Sequence, residues 1–227
     1  MVDDLVVQKG SIPGLEDAGP EDLVIPRFKA SCKSGMFENL LNKAISREIE
    51  VILLTRQKGR QKWGEENKVE CRSRDRINGN SYGNCEQCGR YQWREEMKEN
   101  AEARKELCRG TYDFLLLIPG QSVPFAMTVS TPTSMGPAKK YISSFLVRRE
   151  PLFSYTTMLS MVEKIRNDGK PYYVINFERG TEVPIEEQKE YQALMNQYRI
   201  HNVMEEAPEV SREEKEIDLE DLGGTPF

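Results

Sequence analysis

The chain has 227 residues, 37 acids against 32 bases, five cysteines and a single histidine. That length buries a sizeable core and suits one domain with appendages. The lone histidine, His201, lies near an acidic end, so Cys-His and Ser-His-Asp catalysis are poorly supported and the expected protein is not an enzyme.

Charge is unevenly spread. Residues 1–26 hold one base and six acids, and residues 203–227 hold two bases and nine acids. This leaves 29 bases and 22 acids, a net of +7, for residues 27–202. A basic middle between acidic ends is a nucleic-acid footprint that the overall net charge of -5 conceals.

In chain order, residues 1–24 combine Gly, Pro and acids and read as a flexible acidic arm without a secretory signal. A domain is expected from 25 to 202. Glu50–Thr55 is a strand candidate. Thr111–Ile118 and Val123–Ser130 are joined by a short turn and predict a hairpin. Residues 138–148 place Tyr141, Ile142, Phe145 and Leu146 at helical spacing, with Pro137 at the helix start. Ser154–Ile165 and Pro171–Arg179 flank Asn167-Asp168-Gly169-Lys170, a second hairpin signal. Residues 184–200 read as a helix opened by Pro184, and residues 203–227 as a disordered acidic tail. Turn-separated strands with one or two helices predict a mainly β (α+β) fold, a small β-barrel. The strongest apolar run, Phe114–Ile118, is far too short for a membrane span, and a cytoplasmic location is expected.

Cys71, Cys85, Cys88 and Cys108 fall within 38 residues, between the Glu50 and Thr111 strands. The turn Cys85-Glu86-Gln87-Cys88-Gly89 lets two sulfurs reach one ion, with Gly89 supplying the permissive backbone. The expected cofactor is one structural Zn2+ on four thiolates, in a module spanning 71–108. An iron–sulfur cluster, two disulfides or four packed thiols would use the same residues; a reducing compartment counts against disulfides. Cys32 lies apart and reads as a packed thiol.

Arg56, Lys58, Arg60 and Lys62 alternate with polar residues up to Trp63, which on a strand puts the four bases on one face. Arg72, Arg74 and Arg76 repeat the alternation beside the first cysteine. Tyr82, Tyr91 and Trp93 surround the knuckle. Bases would meet phosphates and aromatic faces would stack unpaired bases, which fits single-stranded nucleic acid better than a duplex groove. A solvated charged hairpin with packed tyrosines is the plainer reading of the same residues. Glu95 with Lys98 and Glu102 with Lys105 are spaced for surface ion pairs.

The terminal residues Asp218, Glu220, Asp221, Pro226 and Phe227 resemble the acidic C-terminal tip of bacterial single-stranded-DNA-binding proteins, which docks on partner enzymes. The chain departs from that pattern at Gly223-Gly224-Thr225. Ile25-Pro26-Arg27-Phe28-Lys29, the Cys-x2-Cys turn and Tyr112-Asp113-Phe114 together resemble phage and prophage zinc-containing single-stranded-DNA-binding proteins over residues 25–180. That resemblance implies an oligonucleotide/oligosaccharide-binding (OB) barrel carrying an inserted zinc module. It also implies single-stranded DNA as ligand, a role in phage replication or recombination, and recruitment of replication and recombination proteins by the tail. Self-association is left open, and a phage-encoded chain would work in the bacterial cytoplasm. The alternative is a zinc-containing transcription or host-takeover factor that binds duplex DNA or a polymerase subunit.

Overall fold

The computed structural model describes residues 25–64 and 68–198. The expected arm (1–24) and tail (203–227), with the tip residues Asp218, Glu220, Asp221, Pro226 and Phe227, lie outside them.

The chain is mainly β. β1 (Arg27–Ser31) and β2 (Met36–Asn39) lead through the two-residue β3 (Ile45–Ser46) into β4 (Glu48–Trp63), the longest strand. β5 (Val69–Ser73), β6 (Asn78–Gly79), β7 (Gly83–Asn84), α1 (Cys85–Cys88) and α2 (Ala101–Lys105) form an excursion from which β8 (Arg109–Leu117) returns to pair with β4. β9 (Phe125–Val129), α3 (Pro132–Arg148), β10 (Tyr155–Ile165), β11 (Pro171–Glu182) and α4 (Ile185–Gln197) follow. Among the described residues no helix is long and apolar enough to cross a membrane.

One sheet of nine strands has the order β11-β10-β4-β8-β9-β1-β2-β3, with β5 also beside β4. Among the described residues only the β1–β9 pair of this sheet is parallel. The outer strands β11 and β3 do not pair with each other, so the sheet is an open, curled half-barrel where a closed small barrel was expected. Curling shows in the apolar packing. A single cluster joins Phe37 of β2, Phe114 of β8 and Phe177 of β11 with Tyr141, Ile142 and Phe145 of α3, so α3 fills the concave side. The Tyr173 N–H of β11 donates to the Cys32 carbonyl at 2.9 Å, tying one end of the sheet to the β1–β2 turn. On the convex side Ile52, Leu54, Leu115 and Leu117 pack against Phe153, Val183 and Tyr191 of α4.

Both expected hairpins form, β8–β9 and β10–β11, the latter with Gly169 at φ 81° in its turn. α4 opens after Pro184 as expected. α3 starts at Pro132, a turn earlier than expected, and Pro137 lies inside it. Its first turn has no apolar periodicity to announce it; it is anchored by Ser134, fully buried, whose hydroxyl accepts the Ile175 N–H at 3.1 Å.

β4 carries two different halves. Val51 and Leu53 enter the concave core, while Ile52 and Leu54 enter the convex one. Leu53 lies opposite Leu116 and Thr55 opposite Leu115, so Leu54 is the extra residue of a β-bulge. Beyond it Arg56, Lys58 and Arg60 take the concave face, opposite Phe114, Tyr112 and Gly110. One edge of β4 pairs β10 up to Ile52 and β5 from Arg60. Between them, among the described residues, that edge has no strand partner.

Candidate nucleic-acid interface and thiol cluster

Where β4 runs past the apolar core, its concave face turns basic. Arg56 lies with its guanidinium 5.5 Å from the Tyr112 ring centroid. Lys58 is exposed beside it. Arg60 stacks over Tyr91 at 3.7 Å and donates through Nη1 to the Arg76 carbonyl at 3.0 Å. Arg76 reaches back from the turn after β5, and its Nε donates to the Gly59 carbonyl at 3.2 Å, on the stretch of β4 edge between β10 and β5. Burial, then the nearby Arg60 and Arg56 cations, push the Arg76 pKa down against the opposing effect of Tyr112. Among the described residues none of Arg56, Lys58, Arg60 and Arg76 has a carboxylate partner within ion-pair distance.

The backbone that presents Arg76 is locally specified. Asp75 Oδ1 accepts the N–H groups of Ile77 at 2.7 Å and Asn78 at 2.9 Å, and the Ser73 hydroxyl at 3.1 Å. Burial works against ionisation of Asp75, but these donors together outweigh it and hold its pKa below the ordinary carboxylate value. Arg76 follows in the left-handed region, φ 66°, where a non-glycine residue is strained.

Two expected phosphate ligands serve other ends. Lys62 is on the same face as Arg60, but its side chain is only 4 % exposed and is held by Glu70 and, at 3.6 Å, by Glu106. Arg72 lies opposite Gln61 in the β4–β5 register and therefore on the convex face. There it donates to Asp113 Oδ1 at 2.9 Å and Thr128 Oγ1 at 3.1 Å, and Thr128 also takes a bond from Arg27 at 2.9 Å. The alternation that groups Arg72 with Arg60 fails because antiparallel pairing puts Ser73, not Arg72, opposite Arg60. Arg74 is half-buried, and its carbonyl accepts the Gln57 side chain at 2.6 Å.

The aromatics are partly covered. Tyr82, in the β6–β7 turn, is exposed and carries the Arg90 guanidinium at 4.5 Å, as Tyr91 carries Arg60. A base stacking here would meet the free side of a ring or the guanidinium itself. Trp63, at the end of β4, and Trp93, past the knuckle, are half-buried.

The four cysteines come together beside this face. Asn84 caps α1 through the N–H groups of Glu86 and Gln87, and Gly89 closes it at φ 65° with its N–H on the Cys85 carbonyl. This is the knuckle expected of Cys85-x2-Cys88. The Cys108 N–H donates to the Arg90 carbonyl at 2.8 Å, bringing the returning segment to the same place. Cys71, Cys85, Cys88 and Cys108 all line one cavity of about 20 Å3, room for a single small atom. A Cβ at Gly79 would stand 2.7 Å from Cys71 Sγ, so this glycine leaves the sulfur its place. Burial, then the neighbouring Cys71 and Cys85 thiols, push the Cys108 thiol up to about 11.

All five cysteines are free, and among the described residues no three His, Cys, Asp or Glu side chains are gathered closely enough to hold a metal ion. The thiols share a cavity without being drawn into a coordination sphere. Arg60, Lys62 and Arg90 line the same cavity; Lys62 and Arg90 are paired with Glu70 and Glu106, which leaves Arg60 as the cation there with no carboxylate partner among the described residues. Four cysteines on one small cavity, with Gly79 leaving room for the Cys71 sulfur, are the donor set that an ion held by four thiolates would use if the sulfurs closed on it.

Sequence reasoning overlooked Arg90, Gly79 and Gly110, and it placed Tyr112 and Asp113 on a strand without assigning either a part in the site. Two signals were available: Asp113, an acid beside an otherwise apolar strand segment, asks for a buried cation, and Gly59 inside the basic row marks a close approach. The predicted ion pairs Glu95–Lys98 and Glu102–Lys105 form on the surface.

No protein-family model matches this chain, and neither a curated protein nor a solved structure matches it. The resemblances read from the sequence thus rest on their residues alone.

Proposed function

We propose that the protein is a non-enzymatic single-stranded-DNA-binding protein of phage replication or recombination, and that its curled sheet serves as an OB-like platform. The observation that carries this reading is the row Arg56, Lys58, Arg60 and Arg76, cations on or beside one strand face with no carboxylate partner among the described residues. Uncompensated cations favour an anionic ligand, and exposed Tyr82 with half-buried Tyr91, Trp63 and Trp93 offers sequence-tolerant stacking nearby. Cys71, Cys85, Cys88 and Cys108 would hold one Zn2+; with four thiolates it has no open position, so its part is to fix β5–β7 and α1 beside β4. The acidic tip would recruit replication enzymes.

Anisotropy titration of labelled single-stranded and duplex oligonucleotides tests the reading. Single strands should bind tighter, with log K falling against log salt at a slope of roughly -2 to -3 for three or four phosphate contacts. Preference for duplex, or no binding, would favour the transcription or host-takeover alternative.

A further inference from the structure

The cationic row has one member built unlike the rest. Arg56 and Arg60 stand on a regular strand, whereas Arg76 is placed by a strained left-handed residue pinned by the Asp75 turn. Its Nη2 lies 3.2 Å from where a Cβ of Gly110 would be. Gly110 is the residue opposite Arg60 on β8, so the missing side chain is the floor on which the Arg76 guanidinium rests. Holding the Gly59 carbonyl takes only Nε; neither Nη group has a hydrogen-bond partner among the described residues. A guanidinium kept for structure alone would not need to be brought among other arginines. The bonds to the Gly59 and Arg76 carbonyls offset part of the cost of backbone strain and converging like charges, and an anion bound among the three cations would offset the rest.

We propose that Arg56, Arg60 and Arg76 form one phosphate site over Gly110, with Arg76 as its preorganised member. The site rests on the single-strand reading for the source of its phosphate, an internal diester of the bound strand. The shared chemistry admits a terminal phosphate or a free polyphosphate as well, and the arms of the test separate them.

Arg76→Gly removes the guanidinium while keeping a residue that accepts φ 66°, so the turn should survive. Single-strand affinity should fall roughly five- to twentyfold, and the salt slope should lose about 0.7, one phosphate contact. Gly110→Val, which fills the floor without altering the Arg76 backbone, should give the same loss. Unchanged affinity and slope in both variants would overturn the site while leaving the single-strand reading intact. If the unaltered protein bound no single strand, calorimetry with tripolyphosphate decides. Binding that Arg76→Gly abolishes would keep the site and sink the strand reading; no binding would sink both. Equal affinity for oligonucleotides with and without a 5′-phosphate assigns the diester, and tighter binding of the phosphorylated end assigns the terminus.

Discussion

Arg72 on β5 and Asp113 on β8 form an ion pair at 2.9 Å across the convex face, with Asp113 side chain only 1 % exposed. Neither strand is the other's neighbour in the sheet; β4 runs between them, and the pair reaches over it. The excursion that carries the cysteines is thereby fastened to the body of the sheet by a buried charge. Asp113→Asn should destabilise the protein by about 3 kcal/mol or more, because it leaves the Arg72 charge buried without its counter-ion. Urea unfolding measures this. Replacing both residues together by Leu should cost less than Asp113→Asn alone, since no stranded charge remains.

Lys62 and Lys58 share a face of β4 and should behave oppositely. Lys62→Gln breaks a buried cation's contacts to Glu70 and Glu106 and should lower stability by about 1–3 kcal/mol. Lys58→Gln should leave stability alone and weaken single-strand binding, reducing the salt slope by about one contact. A melting curve and a salt titration on each variant distinguish them.

Metal analysis should find one zinc per chain. Chelation, or Cys85→Ser, should loosen residues 69–108 while leaving the apolar core folded, which hydrogen exchange resolves. Full retention of exchange protection in the metal-free protein would mean four packed thiols and no ion.

Gly79 and Gly83 separate space from backbone strain. A Cβ at Gly79 would meet Cys71 Sγ at 2.7 Å, so Gly79→Ala should weaken zinc binding roughly tenfold in a competition assay with a chromophoric chelator. Gly83 has nothing within 4 Å but stands at φ 66°, so Gly83→Ala should cost about 1 kcal/mol with zinc affinity unchanged.

Asp75 sets an acid dependence. Its pKa is lowered in the folded protein, so its ionised turn contributes stability that is present above the unfolded value, about 3.9, and is lost as pH falls through the folded one. Asp75→Asn should flatten that part of the acid-unfolding curve. An identical curve for the variant would show that the turn is not held by the charge.

The hairpins, α4 and the cysteine knuckle were legible because local chemistry decides them: Asp168-Gly169, Pro184 and Gly89 need no distant partner. The start of α3 was hidden because Ser134 is held by Ile175 of β11, forty-one residues away. The row at Arg56, Lys58 and Arg60 could be read from alternation, since all three lie on one strand. Arg72 could not, because its face depends on which β4 residue it opposes. Lys62 could not either, because its acids arrive from β5 and from Glu106 after α2. Closure of the barrel is likewise a property of distant edges, and no residue of β3 or β11 announces it.

The bulge at Leu54 divides β4 into two reading frames for side-chain direction. Before it, odd-numbered residues look into the concave side; after it, even-numbered ones do. Loss of Leu54 would merge the frames into one regular strand and leave Arg56, Lys58 and Arg60 looking inward as before. Loss of Gln57 would turn Lys58 and Arg60 to the convex side and dismantle the row without removing a single charge. The two halves of β4 therefore differ in how they tolerate a missing residue. The junction can absorb one, whereas the basic half depends on an unbroken count from Arg56 to Lys62.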